Sequence, residues 1–458
     1  MTISDLAGRT GLSLALAGGL LSGCVHYQPA PVQPARFPAE FDGRRLEAPA
    51  TLPWTQAELL SAAIERAPSV AEAAAAYHSA RAAAKAARVP LNATLNLTAE
   101  YAKHAGGTSP WLFGFTSDIP LDVGTRRSSR VATADLAALQ ALYDYGEAVW
   151  SVRMAIRKAV IDRTYAEQQV ALAQSLLEIR RDRSAKLALR LRAGEDARPT
   201  ALIAQVELAT AERRLEDAKA RQVQAGVALA KALGVAPPAV ASLDISPVGA
   251  APDVPRATDV AEWRMQAALS RRDVLRAVAG YDQAEAALRL QVAKQFPEVH
   301  VGPSYTWERG VTKLPFTLSL VLPPYDLNRA AIAEAEARRS QAGRTLESVQ
   351  AGALGAVDQA DAALSAALSS LQLARSQDLP LAQRTRDSAQ RSLAAGEIDK
   401  VDADAAQGAA LEAELNALEA ARLAWTAQAD LEDALRRPFD SAETSVLQTA
   451  VQRLGSPA

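Results

Sequence analysis

The sequence predicts a mainly α-helical protein with a small β part: a long antiparallel α-helical barrel continued by a transmembrane β-barrel, with four strands per chain and an internal two-fold repeat. Three observations predict it. Phrases recur roughly 202 to 207 residues apart, as in "LRAGEDARPT" from Leu191 and "LAAGEIDKVD" from Leu393. Two runs, from Arg126 to Arg192 and from Arg329 to Ala394, hold no proline but Pro380. Short segments ahead of each run alternate apolar and polar residues with period two.

Composition sets the helical bias. Apolar residues make up 49% of the 458 and aromatic residues only 5%, so the apolar content is mostly alanine, then leucine and valine. Alanine is the best helix former and the smallest side chain that still covers a backbone, which suits long helices in close contact. The net charge is -2, with no Lys/Arg stripe interleaved with aromatics, and nucleic acid is excluded as a partner.

Residues 1–23 read as a lipoprotein signal peptide. Gly11 to Gly23 is an apolar run shorter than the 17 to about 25 residues of a spanning helix, but it fits a signal-peptide core. Leu21, Ser22, Gly23 and Cys24 resemble the lipobox of bacterial lipoproteins, in which the peptide is cut before the cysteine and the thiol acylated. Cys24 is the only cysteine, so an internal disulfide is excluded and the one expected attached group is a covalent lipid. Val25, in place of Asp, implies the outer membrane. Residues 24–53 are Pro-rich and read as an extended tether.

Two repeats follow. Repeat 1, residues 54–240, holds a helix, a β-hairpin over 91–121, a long helix over 126–192 and a return helix over 200–233. A Pro-rich linker over 241–257 separates it from repeat 2, residues 258–437, with a helix, a hairpin over 298–322, a long helix over 329–394 and a return helix over 403–437. Residues 438–458 are left as a C-terminal tail. At 1.5 Å per residue each long run extends on the order of 100 Å, and the preceding and returning helices are about half that. Two half-length helices end to end therefore match one long helix, which places the linker at mid-height. Leu208, Leu215 and Leu229 in one register, with Ala211, Ala218, Ala225 and Ala232 in another, form a heptad that permits close antiparallel packing.

The hairpins carry the strongest pattern. Leu91, Ala93, Leu95, Leu97, Ala99 and Tyr101 alternate with Asn92, Thr94, Asn96, Thr98 and Glu100, and Trp111, Phe113, Phe115 and Ile119 share one side. Val299, Val301, Tyr305 and Trp307, then Leu314, Phe316, Leu318, Leu320 and Leu322, do the same in repeat 2. Each strand has the roughly 9 to 11 residues of a tilted membrane strand. Tyr101, Trp111, Tyr305 and Trp307 stand at the hairpin ends as an aromatic girdle. Four strands cannot close a barrel, and an open sheet in lipid leaves roughly ten edge groups unpaired, at tens of kcal/mol. Typical domain stability is about 5 to 15 kcal/mol, so copies must assemble. Two or three copies both satisfy this requirement.

The duplicated hairpin-and-helix plan, the junctions "IPLDVG" and "LPPYDLN" and the two "AGE" turns resemble the TolC-like outer-membrane factor family, in its efflux lipoprotein branch. The resemblance spans about Trp54 to Arg437 and rests on the order and doubling of the motifs. It implies a homotrimer with a twelve-strand barrel in the outer membrane and a helical tunnel through the periplasm. It also implies a periplasmic adaptor and an inner-membrane transporter as partners, with efflux of small toxic solutes, drugs or metal ions, as the activity. The first junction departs from the family pattern: Leu121 is followed directly by Asp122, where Tyr325 keeps the aromatic place in the second.

On this resemblance the "AGE" turns are the periplasmic tips, with Gly194, Glu195, Gly396 and Glu397 presented to the adaptor. Glycine there also serves a plain helix cap. Asp402 falls where the family places an aperture aspartate; the next expected acidic position is Ala405, so Asp404 is a neighbouring substitute, with Asp399 close by. Three copies form an acidic ring that favours cations; an aspartate at a helix start is equally favoured by the helix dipole.

No enzyme constellation is present. His26, His78, His104 and His300 lack metal spacing, with His300 read as lumen-facing and His104 as a loop residue, and no phosphate loop or nucleophile elbow occurs. Two alternatives to the efflux channel stand. One is the outer-membrane port of a type I protein-secretion system, from which lipidation leans away. The other is a periplasmic adaptor, which carries one helical hairpin where this chain doubles both hairpin and strands.

Overall fold

The computed structural model describes residues 27–47, 52–103, 109–249, 251–252 and 260–455. Cys24, the signal peptide, His26 and His104 lie outside the described residues. The chain divides into two units, Met1–Arg44 and Arg45–Ala458. In the first, a 3-10 turn over Pro34–Arg36 leads into helix α1 (Phe37–Gly43), and Arg44 stacks over the Phe37 and Phe41 rings at 5.6 and 5.5 Å. The wholly extended tether expected over 24–53 is thus corrected. Proline at the first helical positions is compatible with a short helix, and the two phenylalanines one turn apart hold it.

The second unit begins with Trp54, whose N–H donates to Asp244 O at 2.8 Å and whose carbonyl accepts from Ser246. Helix α2 (Gln56–Arg66) starts with a capping box between Thr55 and Glu58. It stops before Pro68, and α3 (Pro68–Ala86) continues. Pro68 supplies no N–H and pushes Ala67 to an extended ψ of 121°, so the single helix expected ahead of the first hairpin becomes two. Strands β1 (Thr94–Tyr101) and β2 (Trp111–Leu121) follow, then α4 (Arg126–Ala193, 68 residues) and α5 (Arg198–Leu233, 36 residues).

The second half repeats the order. Helices α6 (Val260–Ser270) and α7 (Arg272–Ala293) again break once, at Arg271. Strand β3 (Glu298–Glu308) pairs with β4 (Val311–Lys313) and β5 (Phe316–Val321). The expected fourth strand is therefore two segments. Pro315 sits at the gap without an N–H to pair, while its carbonyl still accepts from Ser304 N–H at 2.9 Å. Helix α8 (Arg329–Leu373) runs through a π-helical segment, Ala374–Asp378, into α9 (Leu379–Ala394), and α10 (Lys400–Leu435) returns. The expected tail contains a last helix, α11 (Ser441–Gly455).

Helix α4 is the spine of this unit: it packs against α5 and α10 along one half and against α3 and α7 along the other. The largest apolar cluster lies at its middle. Leu59, Leu60, Trp150, Ile156, Ile161, Leu229 and Leu233 are fully enclosed there, with Leu447 and Leu454 of α11 added from outside. Arg153 of α4 is buried in the same region, paired with Glu432 of α10 and, at 2.6 Å, with Glu443 of α11. Burial pushes the Glu432 carboxyl above the usual range despite Arg153 and Arg157.

Candidate functional site: strand belt and helix tips

Strand order is β1-β2-β3, with β4 and β5 on the far side of β3, all antiparallel. Registers align the alternation across the sheet. Leu97 faces Phe115, which faces Tyr305; Ala99 faces Phe113, which faces Trp307; Ile119 faces Val301, which faces Leu318. These alternating apolar positions therefore fall on one face, while Leu112, Val311 and Val321 lie on the other. Most of these side chains lie open, Leu97 at 79% and Phe316 at 69% exposure, with Ile119, Val301, Tyr305 and Trp307 half-buried, so among the described residues nothing fully covers the belt. The opposite face carries Asn96, Thr98, Thr116, Asp118, His300 and Thr306; His300 Nδ1 lies 3.0 Å from Asp118.

The aromatic residues collect at one end of the belt. Tyr101 and Trp111 meet edge to face at 4.9 Å, Trp111 stacks on Phe113 at 5.4 Å, and Phe113 on Trp307 at 6.3 Å. Tyr305 stacks one row below on Phe115 at 6.2 Å. Phe113 thus links Trp111 to Trp307, and Phe115 pairs with Tyr305. Two glycines let β2 and β3 approach: a Cβ on Gly114 would lie 2.7 Å from Tyr305 O, and one on Gly302 2.5 Å from Ser117 O.

At the other end of the unit the two "AGE" turns have one geometry. Gly194 adopts φ 77°; its N–H donates to Leu191 O, and Glu195 N–H donates to Arg190 O at 2.9 Å. Gly396 adopts φ 74°, with matching bonds to Leu393 O and, from Glu397 N–H, to Ser392 O at 2.9 Å. Both are Schellman caps, and no Cβ neighbour lies within 4 Å of either glycine.

The acidic residues separate in role. Asp399 caps α10, accepting from Asp402 N–H at 3.0 Å, and pairs with Arg190, whose Nε also lies 2.8 Å from Asp196. The Asp402 N–H, with Arg190, holds the Asp399 carboxyl below the usual range. Asp404 is 0% exposed, paired with Lys400 and, at 3.1 Å, with Lys186 of α4. That takes Asp404 out of an open acidic mouth: it is enclosed within the chain, while Asp402 and the Arg190-paired Asp399 stay exposed. Sequence reasoning missed the partners. Arg180, Arg183, Lys186 and Arg190 fall on one side of α4 at helical spacing, and Glu207, Glu412, Asp404 and Asp399 answer them from α5 and α10. The spacing alone was visible in the sequence.

The model of a family described as outer membrane efflux protein matches residues 59–235 and 263–435. No curated protein sequence matches the chain significantly. Among solved structures, a membrane protein from Pseudomonas aeruginosa is 22% identical at a TM-score of 0.67, covering 83% of this chain and 90% of that one. The outer membrane protein VceC from Vibrio cholerae is 17% identical at a TM-score of 0.68, with 84% and 97% covered. The open-state MtrE outer membrane channel from Neisseria gonorrhoeae is 21% identical at 0.66, with 83% and 89% covered. These likenesses establish a shared fold. Since the family model takes in both hairpin-and-helix halves, the chain belongs to the outer membrane efflux protein family, the TolC-like outer-membrane factors.

Proposed function

We propose that the protein is the outer-membrane channel of a tripartite efflux system, a passive exit duct for small toxic solutes, drugs or metal ions. The observation that carries this reading is the uncovered apolar belt on a sheet too small to close on itself. A belt of this kind is stable against lipid, and its two outer edges need strands from further copies. On the family plan three copies supply the barrel, and their long helices continue it as a tunnel. A lipid on Cys24 anchors each copy to the same membrane.

The duct holds no energy source of its own in this reading. An inner-membrane transporter drives the cargo and a periplasmic adaptor docks at the tips, where Gly194, Glu195, Gly396 and Glu397 form two matching turns. The family match sets aside the adaptor alternative. A type I secretion port keeps the same architecture and differs in cargo.

The test is a deletion strain with a complemented control, scored for antibiotic, dye and metal susceptibility, together with purified protein in planar bilayers. Sensitivity to small solutes and a conducting oligomer are expected. Loss of a secreted protein with unchanged susceptibility favours the secretion port, and a stable monomer in lipid with its sheet intact overturns the channel.

A further inference from the structure

The strands and long helices meet at one end of the sheet. Leu121 pairs with Val299 and Glu298 with Val321, so the end of β2, the start of β3 and the end of β5 lie there, and β1 starts beside them with Thr94 opposite Asp118. Hydrogen bonds hold the junctions at one level. Arg127 donates to Arg88 O at 2.9 Å, Arg126 to Phe296 O at 2.6 Å, and Asn328 Nδ2 to Gln291 O at 2.8 Å. The stack of Tyr101, Trp111 and Trp307 occupies the opposite end of the sheet.

The apolar surface does not stop with the strands. Val89 precedes β1, Val123 follows β2, Phe296 precedes β3, and Leu322 and Tyr325 follow β5; all are exposed, Phe296 at 67% and Tyr325 completely. A basic residue stands within four positions of each group: Arg88, Arg127, Lys294 and Arg329. The same apolar-then-basic pairing thus occurs at every junction, in both halves of the chain.

The charges do not cancel. Over residues 87–93, 122–135, 293–298 and 322–330, six cations meet four carboxylates. Asp122, Asp135 and Glu298 are paired with Arg130, Arg88 and Arg126, and Asp326 accepts the N–H groups of Asn328 and Ala330. Arg127, Lys294 and Arg329 have no acidic partner among the described residues, and all three are exposed. Helix stability does not account for them. Arg127 and Arg329 stand in the first turns of α4 and α8, which hold no acidic residue, and the helix dipole disfavours a cation there.

Whatever covers this surface is apolar on the strand side and anionic on the helix side. A phospholipid leaflet with anionic headgroups has that profile, with acyl chains against the belt and phosphates beside the cations. We propose that the junctions form a collar that binds anionic phospholipid, with Phe296, Leu322 and Tyr325 in the acyl boundary and Arg127, Lys294 and Arg329 on the headgroup phosphates. The proposal rests on the membrane-channel reading and names the lipid class which that reading leaves open.

The test uses the full-length oligomer reconstituted in vesicles of equal parts phosphatidylglycerol and phosphatidylethanolamine, with the lipid that stays bound after mild detergent extraction counted by native mass spectrometry. A cation close to an anionic surface favours it by about fivefold, so retained phosphatidylglycerol is expected at about fivefold or more over its bulk share, falling toward that share in high salt. Arg127→Gln, Lys294→Gln and Arg329→Gln together should abolish the enrichment, whereas Arg213→Gln, Arg214→Gln and Lys231→Gln on α5, an equal loss of charge, should leave it. Retention at the bulk ratio by the unsubstituted oligomer, or equal loss of enrichment in both triple variants, overturns the collar and leaves the channel reading in place. So does displacement of the lipid by inorganic phosphate at constant ionic strength, which would mark a site for the free anion. A chain that does not insert into the vesicles removes both readings.

Discussion

Helix α4 runs 68 residues without interruption and buries side chains from Ser129 to Leu187, whereas its counterpart in the second half is broken by Ala374–Asp378 and by Pro380 just beyond. Proline has no N–H for the carbonyl one turn back, and its ring crowds that carbonyl. A π-helical turn widens the helix there and carries it past the defect. The helices occupy corresponding places, yet α4 touches α2, α3, α5, α7 and α10, whereas α8 touches α6, α7 and α10, and α9, beyond the break, rests on α10. One sequence plan used twice has thus produced a rigid spine and a lightly held stave. The buried residues lie along the helix that has neighbours over its whole length, and the proline is tolerated where α9 rests on α10.

The largest test of this difference is Arg153→Ala. It leaves Glu443 enclosed without its cation and Glu432 with only Arg157 at 3.6 Å, and breaking a buried pair by removing one partner costs about 3 to 5 kcal/mol. The melting temperature in detergent, at fixed protein concentration, should fall by many degrees. Substitution of Ala356, the corresponding residue of α8, by a small polar residue should move it little. Equal losses at both sites would abolish the contrast between spine and stave.

The ends of the return helices offer a second comparison. Gly234 and Arg436 each terminate a half in the left-handed region, at φ 67° and 51°. A Cβ on Gly234 would lie 2.8 Å from Arg66 O, so Gly234→Ala adds a backbone clash to the about 1 to 2 kcal/mol of left-handed strain. Arg436 bears that strain already, while its guanidinium pairs with Glu147 at 2.7 Å and with Asp433. Arg436→Gly should therefore come out near zero, relief offsetting lost pairs, where Gly234→Ala costs about 2 kcal/mol or more. Thermal unfolding of the two variants side by side decides it.

Much of this was legible in the sequence, and the reason is local. Period-two alternation placed the strands because facing residues on one sheet side must be alike, and Gly194 and Gly396 marked the turns because only their own backbone is involved. Pro68 and Pro315 were equally local, and their breaks at α2–α3 and β4–β5 could have been read from the missing N–H. Asp404 could not. Its burial depends on Lys186, 218 positions away, and nothing near Asp404 in the chain distinguishes it from the exposed Asp402. Helix α11 was hidden for a similar reason: its anchor, Glu443, gains meaning only once Arg153 stands beside it.

Hydrogen exchange sharpens the contrast at an intermediate scale. Amides of α9 lie next to the π segment and have few buried contacts, the conditions under which helices open locally. They should exchange tenfold or more faster than amides of α4 at the same distance from the tips, about 1.4 kcal/mol in opening free energy. Matching protection along both helices would show that assembly with other copies, rather than the packing within one chain, governs their rigidity.

The smallest expected effect is at the tips, where spine and stave are tied by Arg190 and Asp399. Both side chains are partly exposed, so Asp399→Asn should cost only about 0 to 1 kcal/mol. Its pH dependence has a definite sign. The folded carboxyl is held below the usual range, so the tie is fully present above the ordinary aspartate pKa of about 3.9 and is lost only as pH falls through the lower folded value. If the tie also narrows the mouth, Asp399→Asn should raise single-channel conductance at pH 7 to the level that the unsubstituted protein reaches only in acid. Asp402→Asn removes an exposed charge without touching Arg190, and should alter cation preference more than conductance. Planar-bilayer recordings of the two variants separate a mechanical tie from an electrostatic ring, because a tie responds to the loss of Asp399 and a ring to the loss of Asp402.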